Sequence, residues 1–432
     1  MLGQAPRVIW AGCLIDGSGQ PALRNAAVVI EDGVITFVGP DDSPEVPAVP
    51  GEQQLDARDG TVLPGIIDTH VHVAFNTRTG DSTPAIIEQA RTDDLTTLGG
   101  RVIQATQAAL SGGTTTLRDC GAPGFVTLRV RDLIASRFIS GPRLLASGMP
   151  VTTTAGHLWW CGLEADSRDD VIRATRMLIR EGVDFIKIMA TGGGMTAGTN
   201  VAQPQYDAET LSAIVQEARR IGTPNEAGRS GRLTTAHSHC AAGHLNCVAA
   251  GVDMIEHCSW NTPDGGSRFD PEVAKQFVDH GTYISLTIGR TGQGITPDTP
   301  ESDLPERLRE QCEIVRQMHD LGVRIVFNSD SSAPAKQVED FPRTVAAVTA
   351  HAGLSPEVAV HTVTGRSAAA VGLDGRIGLL ESGHLADVLV VDGDVTSDIG
   401  ALGHTRWVLR DGVVLSDGHG ILATGTTLDP GW

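Results

Sequence analysis

Long apolar runs are missing from this sequence of 432 residues. No stretch approaches the roughly 20 apolar residues that a membrane-spanning helix needs. The first residues contain neither a basic segment nor a long apolar core, so we expect no signal peptide. Positive charge is also scarce, because 33 Lys and Arg stand against 52 Asp and Glu, a net charge of −19. These deficits argue against nucleic acid and membranes as partners.

Cysteine is sparse and shows no pairing pattern. The chain has seven cysteines, an odd number, and no two have C-x-x-C spacing. Disulfide frameworks normally use an even number of cysteines in a short secreted chain. We therefore expect free thiols and a reducing, cytoplasmic location.

Both ends of the chain have the pattern of short strands joined by tight turns. Near the start, the runs RVIWAG, AAVVIEDG and VITFVG are accompanied by Asp-Gly pairs at 16–17 and 32–33, which are strong hairpin signals. The runs ADVLVVDGD and TRWVLRDGVVLSDG repeat this pattern near the other end. Because chain termini often lie close together, residues 1–64 and 376–432 are predicted to form one small, split β-sandwich domain.

Between residues 65 and 375 apolar strands alternate with amphipathic helices. The helical period of 3.6 is clear from Val171 to Ile179 and from Leu211 to Ile221, and Ser355-Pro356 is typical of a helix start. The strand candidates are GIIDTHVHV, TTTLRDCG, PRLLASG, VDFIKIMATGG, LTTAHSHC, VDMIEHC, TYISLTI and VRIVFNSD. This alternation predicts an α/β fold, a parallel (β/α)8 TIM barrel, with an open doubly wound sheet as the alternative.

Polar residues collect at the ends of these strands, where such barrels place their chemistry. They are His70 and His72 on the first strand, Lys187 on the fourth, His237 and His239 on the fifth, His257 on the sixth and Asp330 on the eighth. Residues two apart on a strand point to the same face, so His70 and His72 converge on one point. Scattered core histidines would show no preference for strand ends. The sequence therefore predicts a metal site at this rim.

The motifs DTHVHV, FIKIMATGGG, TAHSHC, MIEHCSW and NSD resemble those of the amidohydrolase superfamily, in particular its imidazolonepropionase-like branch. That branch contains binuclear Xaa-Pro and Xaa-Arg dipeptidases and ochratoxin-hydrolysing amidases, with phenylurea and carbamate hydrolases as relatives. The resemblance covers nearly the whole chain, because RIGLLESGHLADVLVVDGD is similar to the family's segment that returns from the barrel to the β-sandwich.

The resemblance implies two divalent metal ions per chain, with zinc preferred and manganese or cobalt as alternatives. The implied ligands are His70, His72 and Asp330 for one ion, His237 and His257 for the second, and Lys187 as the bridge. Because an ammonium group cannot ligate a cation, the bridge would be an N6-carboxylated lysine. The separation of His237 and His257, 257 − 237 = 20 residues, matches the family's usual spacing. His239 would then face the substrate or brace the residues around the metal ligands.

The implied reaction is hydrolysis of an amide-type C–N bond in a small-molecule substrate, such as a dipeptide, an N-acyl amino acid or an ochratoxin-like amide. Asp330 would act as the base and pass the proton to the leaving nitrogen. His157 would contact the scissile carbonyl, unless it simply packs beside its neighbouring tryptophans. Tyr206 and Arg290 are candidate substrate contacts, although a half-buried tyrosine and a solvated loop arginine are equally ordinary.

Other functions compete with this one. The substrate could instead be a carbamate or a phenylurea. A mononuclear deaminase or cyclic amidohydrolase would lack the lysine on the fourth strand, so Lys187 counts against it. A non-catalytic assembly protein would have lost metal ligands, whereas all six are kept. Cys240 and Asn328 stand where the family's motifs have glycine, which weakens any transfer of dipeptidase specificity. Barrels of this type frequently associate, so we expect a homo-oligomer.

Overall fold

The computed structural model describes residues 5–75, 82–222, 231–289, 294–331, 338–418 and 420–421. The strands in these ranges are β1 (Val8–Leu14), β2 (Leu23–Glu31), β3 (Val34–Pro40), β4 (Gln54–Pro64), β5 (Ile66–Val71), β6 (Thr114–Asp119), β7 (Arg143–Ala146), β8 (Val151–Thr152), β9 (Leu163–Glu164), β10 (Phe185–Met189), β11 (Leu233–Ser238), β12 (Met254–His257), β13 (Tyr283–Thr287), β14 (Arg324–Asn328), β15 (Val388–Asp392), β16 (Thr405–Arg410) and β17 (Val413–Ser416).

The helices in the same ranges are α1 (Thr83–Thr92), α2 (Leu95–Ser111), α3 (Val126–Ala135), α4 (Arg168–Glu181), α5 (Ala208–Arg220), α6 (Ala241–Ala250), α7 (Pro271–His280), α8 (Glu306–Asp320), α9 (Phe341–Ala352), α10 (Pro356–Val363) and α11 (Gly365–Ala370). None of these helices combines the length and the apolar character that crossing a bilayer requires.

The two chain ends share one sheet, with the strand order β17-β16-β15-β4-β1-β2-β3 among the described residues. The ends meet where β4 pairs antiparallel with β15, with Val62 opposite Val390. The pair of β1 and β4 is not part of a hairpin, because the two strands run parallel. After β3 the chain returns to the edge of β1 that is not paired with β2. There β4 runs in the same direction as β1. Ile9, Val28 and Leu409 belong to the apolar core of this sheet.

Eight parallel strands of the described chain form a closed barrel. Strands β5, β6 and β7 pair in that order, and β10 to β14 pair in chain order. Backbone contacts join the two groups at both sides. The Asp184 N–H donates to the Ala146 carbonyl at 3.0 Å between β10 and β7, and the Asp330 N–H donates to the His70 carbonyl at 2.9 Å between β14 and β5. This closure confirms the predicted (β/α)8 barrel and excludes an open sheet.

Local sequence signals explain where the helices begin and end. Ser167 and Asp170 form a capping box at the start of α4, which ends at Gly182 with a φ of 85°. The Ser355 side chain caps α10 ahead of Pro356, as predicted. Both α4 and α5 bury the apolar faces that their sequence period predicts. These faces cover the outside of the barrel and keep it rigid.

The seven cysteines all lie in the described part of the chain, where they are buried and form no disulfide. Burial above all raises the pKa of the Cys13 and Cys312 thiols to about 11. These side chains therefore stay protonated at neutral pH and pack as small apolar groups. The arrangement agrees with the prediction of free thiols.

Arg143 connects the barrel to the sheet of the chain ends. It lies on β7 and forms ion pairs with the carboxylates of Asp387 and Asp411, the latter at 2.9 Å. The Asp387 side chain is only 2 % exposed, against 20 % for Arg143. Burial raises the pKa of Asp387, and the charge of Arg143 opposes that rise. The pair therefore compensates a carboxylate that is buried between the two parts of the fold.

We expect an Arg143→Met variant to lose about 3 kcal/mol of unfolding free energy at pH 8, because it leaves a buried carboxylate without its partner. The folded-state pKa of Asp387 should rise further above its unfolded value. The deficit should therefore shrink as the pH falls from 8 to 5 and the carboxyl takes up a proton. Urea unfolding at both pH values measures this, with Arg173→Met as the control because Arg173 is 76 % exposed. Equal losses in the two variants would contradict the expectation.

Candidate metal centre

A cavity of about 590 Å3 opens at the C-terminal ends of the barrel strands. That volume is within the usual range for a small-molecule site. The predicted site residues on its wall are His72, His157, Lys187, His237, His239, His257 and Asp330. His70 lies just beneath them and is 1 % exposed. The structure thus brings together residues that are spread over most of the barrel sequence.

His70, His72 and Asp330 meet where β14 joins β5. The Nε2 atoms of His70 and His72 are 3.3 Å apart. Asp330 Oδ1 lies 3.7 Å from the first of these nitrogens and 3.9 Å from the second. Lys187 is fully buried on β10, and its Nζ lies 3.5 Å from His70 Nε2. The potential ligand atoms of these four residues therefore surround one small volume.

His237 and His257 form the other half of the site. Their ring centroids are 4.5 Å apart, and the His257 ring lies 4.9 Å from that of His70. Nitrogen atoms of His237, His239 and His257 all lie within 4.8 Å of one another. The geometry therefore admits His239 as a further nitrogen beside the predicted pair. Its Nδ1 lies 3.0 Å from the Ser259 hydroxyl oxygen.

Hydrogen bonds to fixed acceptors determine which ring nitrogens of His70 and His72 carry the proton. His72 Nδ1 lies 2.8 Å from the Gly121 carbonyl oxygen, and His70 Nδ1 lies 3.1 Å from Glu256 Oε2. Carbonyl and carboxylate oxygens only accept, so both Nδ1 atoms are protonated. Both Nε2 atoms therefore keep their lone pairs, and they face each other.

The protons of His237 and His257 are placed in the same way. His237 Nε2 lies 3.2 Å from the Gly192 carbonyl oxygen, so its Nδ1 keeps the lone pair. His257 Nδ1 lies 2.7 Å from Thr287 Oγ1. Because the Thr287 hydroxyl donates its one hydrogen to Asn328 Oδ1 at 3.0 Å, it accepts from the His257 Nδ1–H. The lone pair of His257 is therefore on Nε2.

Burial keeps the imidazole rings of the site neutral. It is the largest cause that lowers the pKa of His72 and of His239 to about 3, and neighbouring histidines lower it further. The pKa values of four other rings are lowered for the same main reason, those of His70, His157, His237 and His257. Each ring thus carries a single proton at neutral pH. Metal binding at these nitrogens then requires no prior loss of a proton.

This set of donors fits divalent cations. Ligand atoms of His70, His72 and Asp330 lie within 4.8 Å of one another, and those of His237, His239 and His257 do so as well. Imidazole and carboxylate are ligands that zinc, manganese and cobalt accept. Lone pairs only 3.3 Å apart, as on His70 and His72, repel each other unless a positive charge lies between them. The residues present therefore suit a metal centre better than a purely hydrogen-bonded polar cluster.

Glu256 is a site residue that sequence reasoning missed. Its carboxylate is fully buried, accepts from the Thr235 hydroxyl at 2.6 Å and lies 3.6 Å from the Arg118 guanidinium. Burial raises its pKa, but His70, Lys187 and Arg118 outweigh that effect and lower the pKa overall. The sequence feature that could have identified Glu256 is an acidic residue inside the apolar run MIEH. Such a charge on a barrel strand needs buried partners.

His157 lies above Gly193 at the edge of the site. Its ring centroid is 4.4 Å from that of His237. Thr196 Oγ1 accepts from the Leu158 N–H at 3.0 Å and lies 3.1 Å from His157 Nδ1. A Cβ atom built on Gly193 would lie 2.4 Å from the Cε1 and Nε2 atoms of this ring. Glycine at position 193 therefore leaves the space that the imidazole occupies.

One predicted substrate contact in the described residues, Tyr206, does not line the cavity. Tyr206 is buried in the core around the barrel, and its hydroxyl donates to the Ala165 carbonyl at 2.7 Å. Its hydrogen is therefore already used, and the tyrosine is absent from the cavity wall. Arg290 lies outside the described residues.

The two residues that stand where the family's motifs have glycine are both buried. Cys240 is buried at the start of α6. Asn328 is buried on β14, where its amide nitrogen donates to the Ser285 carbonyl at 3.1 Å and its oxygen accepts from Thr287. Asn328 thereby helps to orient His257, a role that sequence reasoning did not assign to it.

Comparisons with known proteins agree on one family. The sequence profile of the amidohydrolase family matches residues 61–416. An ochratoxinase from Aspergillus niger is 27 % identical over 420 residues, which cover 91 % of this chain and 82 % of that protein. An imidazolonepropionase from Salinispora arenicola (strain CNS-205) is 26 % identical and covers 92 % of both. A crystal structure of a Xaa-Pro dipeptidase with bound methionine aligns with a TM-score of 0.77 at 25 % identity, over 94 % of this chain and 98 % of that chain.

We expect a Glu256→Gln variant to bind zinc or manganese about 10- to 100-fold more weakly, because the neutral amide no longer holds the His70 Nδ1–H in place. Metal titration of the apoprotein by isothermal calorimetry measures this. Glu217→Gln is the matched control, since Glu217 is also buried but pairs with Arg176 and Arg220 outside the cavity. Equal metal affinities for the two variants would contradict the role of Glu256.

Proposed function

Since the chain belongs to the amidohydrolase family, we propose that it is a binuclear metal-dependent hydrolase of an amide-type C–N bond in a small molecule. Dipeptides, N-acyl amino acids and ochratoxin-like amides are the candidate substrates, in line with the ochratoxinase and the Xaa-Pro dipeptidase that the chain resembles. One observation carries the proposal: two groups of potential ligands, one of His70, His72 and Asp330 and the other of His237, His239 and His257, meet at one cavity.

The proposal assigns each ligand to one of two metal ions or to the bridge between them. His70, His72 and Asp330 would hold one ion, His237 and His257 would hold the other, and Lys187 would lie between them. An amine can serve as a ligand only without its proton, and addition of carbon dioxide to that amine gives an anionic carbamate. The complete burial of Lys187 beside His70 supports such a modification. Zinc is the preferred ion, with manganese or cobalt as alternatives.

Divalent cations bound there would polarise a substrate carbonyl and lower the pKa of water. Asp330 is placed to handle the proton, because its Oδ1 lies within 3.9 Å of both His70 Nε2 and His72 Nε2. Its carboxylate accepts the proton of the attacking water and donates it to the leaving nitrogen. The backbone of Asp330 is held at a φ of 45°, and its N–H is bound to the His70 carbonyl. The carboxylate is therefore positioned before substrate binds.

His157 would stabilise negative charge on the carbonyl oxygen. Since Thr196 Oγ1 accepts from the Leu158 N–H, its own hydrogen is available to His157 Nδ1. When the hydroxyl donates to Nδ1, the proton of His157 is on Nε2, where it can donate to the developing oxyanion. A homo-oligomer and a cytoplasmic location stay predictions from the sequence.

The proposal is tested with metal-loaded protein and a panel of dipeptides, N-acyl amino acids, carbamates and phenylureas. We expect cleavage of an amide and about two ions per chain by elemental analysis. Lys187→Ala should lose both ions and the carbamate signal that 13C-bicarbonate produces in NMR spectra. Lys275→Ala is the control, because Lys275 is exposed and pairs with Glu272. An inert protein, or an unchanged metal content in Lys187→Ala, would contradict the proposal.

A Gly193→Ala variant tests the role of His157 without changing the histidine. The added methyl group should displace the ring and lower kcat by roughly 100-fold, the effect of losing one oxyanion donor, with little change in metal content. Gly194→Ala is the matched control, because no atom lies within 4 Å of a Cβ at that position. A similar kcat for the two variants would show that His157 does not act on the reacting carbonyl.

A further inference from the structure

One wall of the cavity is formed by the first turns of α8, and it carries a cation that the proposed reaction does not use. Arg307, Gln311 and Ile314 line the cavity at the spacing of one helix face. Glu306 and Glu310 lie on the same wall. Arg307 is exposed there. It is therefore open to a ligand that enters the cavity.

Arg307 differs from the other arginines of α8. Arg309 donates to the Leu304 carbonyl at 2.9 Å, and Arg316 pairs with Glu313 at 2.6 Å. Within the part of the chain that the structure describes, the Arg307 guanidinium has neither an ion pair nor a hydrogen bond. Glu310 follows it by three residues, a spacing that favours pairing on a helix, yet the two do not pair. The guanidinium of Arg307 thus keeps its donors free.

Arg307 and the proposed metal ligands belong to one cavity. The residues that line it together with Arg307 include His237, His257 and Asp330. One small substrate can therefore contact both the guanidinium and the metal-binding residues.

We propose that Arg307 binds an anionic group of the substrate, so that this enzyme prefers amides that carry a free carboxylate over neutral amides, carbamates and ureas. The inference rests on the proposed function and narrows its substrate class. A guanidinium pairs with a carboxylate through two parallel hydrogen bonds, which fixes orientation as well as position. Glu306 and Glu310 repel a carboxylate placed elsewhere on the wall. In a chain of net charge −19, an anion needs such a local cation.

Matched ligand pairs test this inference. N-acetyl derivatives of alanine, proline and phenylalanine are compared with their carboxamides, in which a neutral amide of similar size replaces the carboxylate. For the wild type we expect a kcat/KM at least 10-fold higher for the carboxylates. Arg307→Gln should raise KM for the carboxylates by 10-fold or more at nearly unchanged kcat and leave the carboxamides unaffected. Arg307→Lys should recover part of the preference. Arg173→Gln, which removes an equal charge on the surface of α4, should behave like the wild type.

Binding is measured separately by calorimetry with the same pairs, so that the inference does not depend on turnover. Tighter binding of the carboxylates, lost in Arg307→Gln, supports it even if none of these compounds is cleaved. Equal binding of each pair, or an equal effect of Arg307→Gln on both members, overturns it. Cleavage of neutral carbamates or ureas alone also overturns it while hydrolysis itself stands. Absence of any hydrolysis across the whole panel contradicts the proposed function instead.

Discussion

The arrangement of the site depends on the hydrogen bond that each proposed histidine ligand makes on the side away from the cavity. The acceptors are the Gly121 carbonyl, the Glu256 carboxylate, the Gly192 carbonyl and the Thr287 hydroxyl. Each holds one ring nitrogen protonated, and the opposite nitrogen presents its lone pair. Without these contacts the rings could rotate or exchange tautomers, and the lone pairs would no longer converge. The contacts come from strand ends and loops of the barrel, so a rigid barrel is what keeps the rings in place.

The interior of the barrel beneath the site is unusually polar. Glu256, Arg118 and Lys187 are all nearly or fully buried. The Arg118 guanidinium lies 4.2 Å from the centre of the Phe185 ring, and Thr235 binds the Glu256 carboxylate. Unpaired charges at such depth would be strongly destabilising, whereas a connected network compensates them. The Glu256 carboxylate therefore has two functions in this network, because it orients His70 and also compensates the charge of the buried Arg118 guanidinium.

Backbone strain lies at the ends of the strands that carry the site. His257, Cys258 and Asp330 have φ values of 64°, 47° and 45°, a region that non-glycine residues rarely adopt. In a regular strand Glu256 and His257 would point to opposite faces. The turn at His257 lets Glu256 point into the barrel and His257 face the cavity. Strain of this kind persists only where the surrounding structure holds it, and it is concentrated at functional sites.

Much of this protein was determined by local sequence pattern. The eight strands, the caps of α4 and α10 and the strand-end positions of His70, His237 and Asp330 follow from apolar periodicity and turn residues, which act over short distances. Tertiary structure decided the rest. Glu256 and Asn328 bind residues far away in the chain, and Arg307 lines the same cavity as the proposed metal ligands. Tyr206 has its hydroxyl bound to Ala165 rather than facing the cavity. Closure of the barrel places these groups beside one another. No local sequence pattern indicates which side chains contact each other across the barrel.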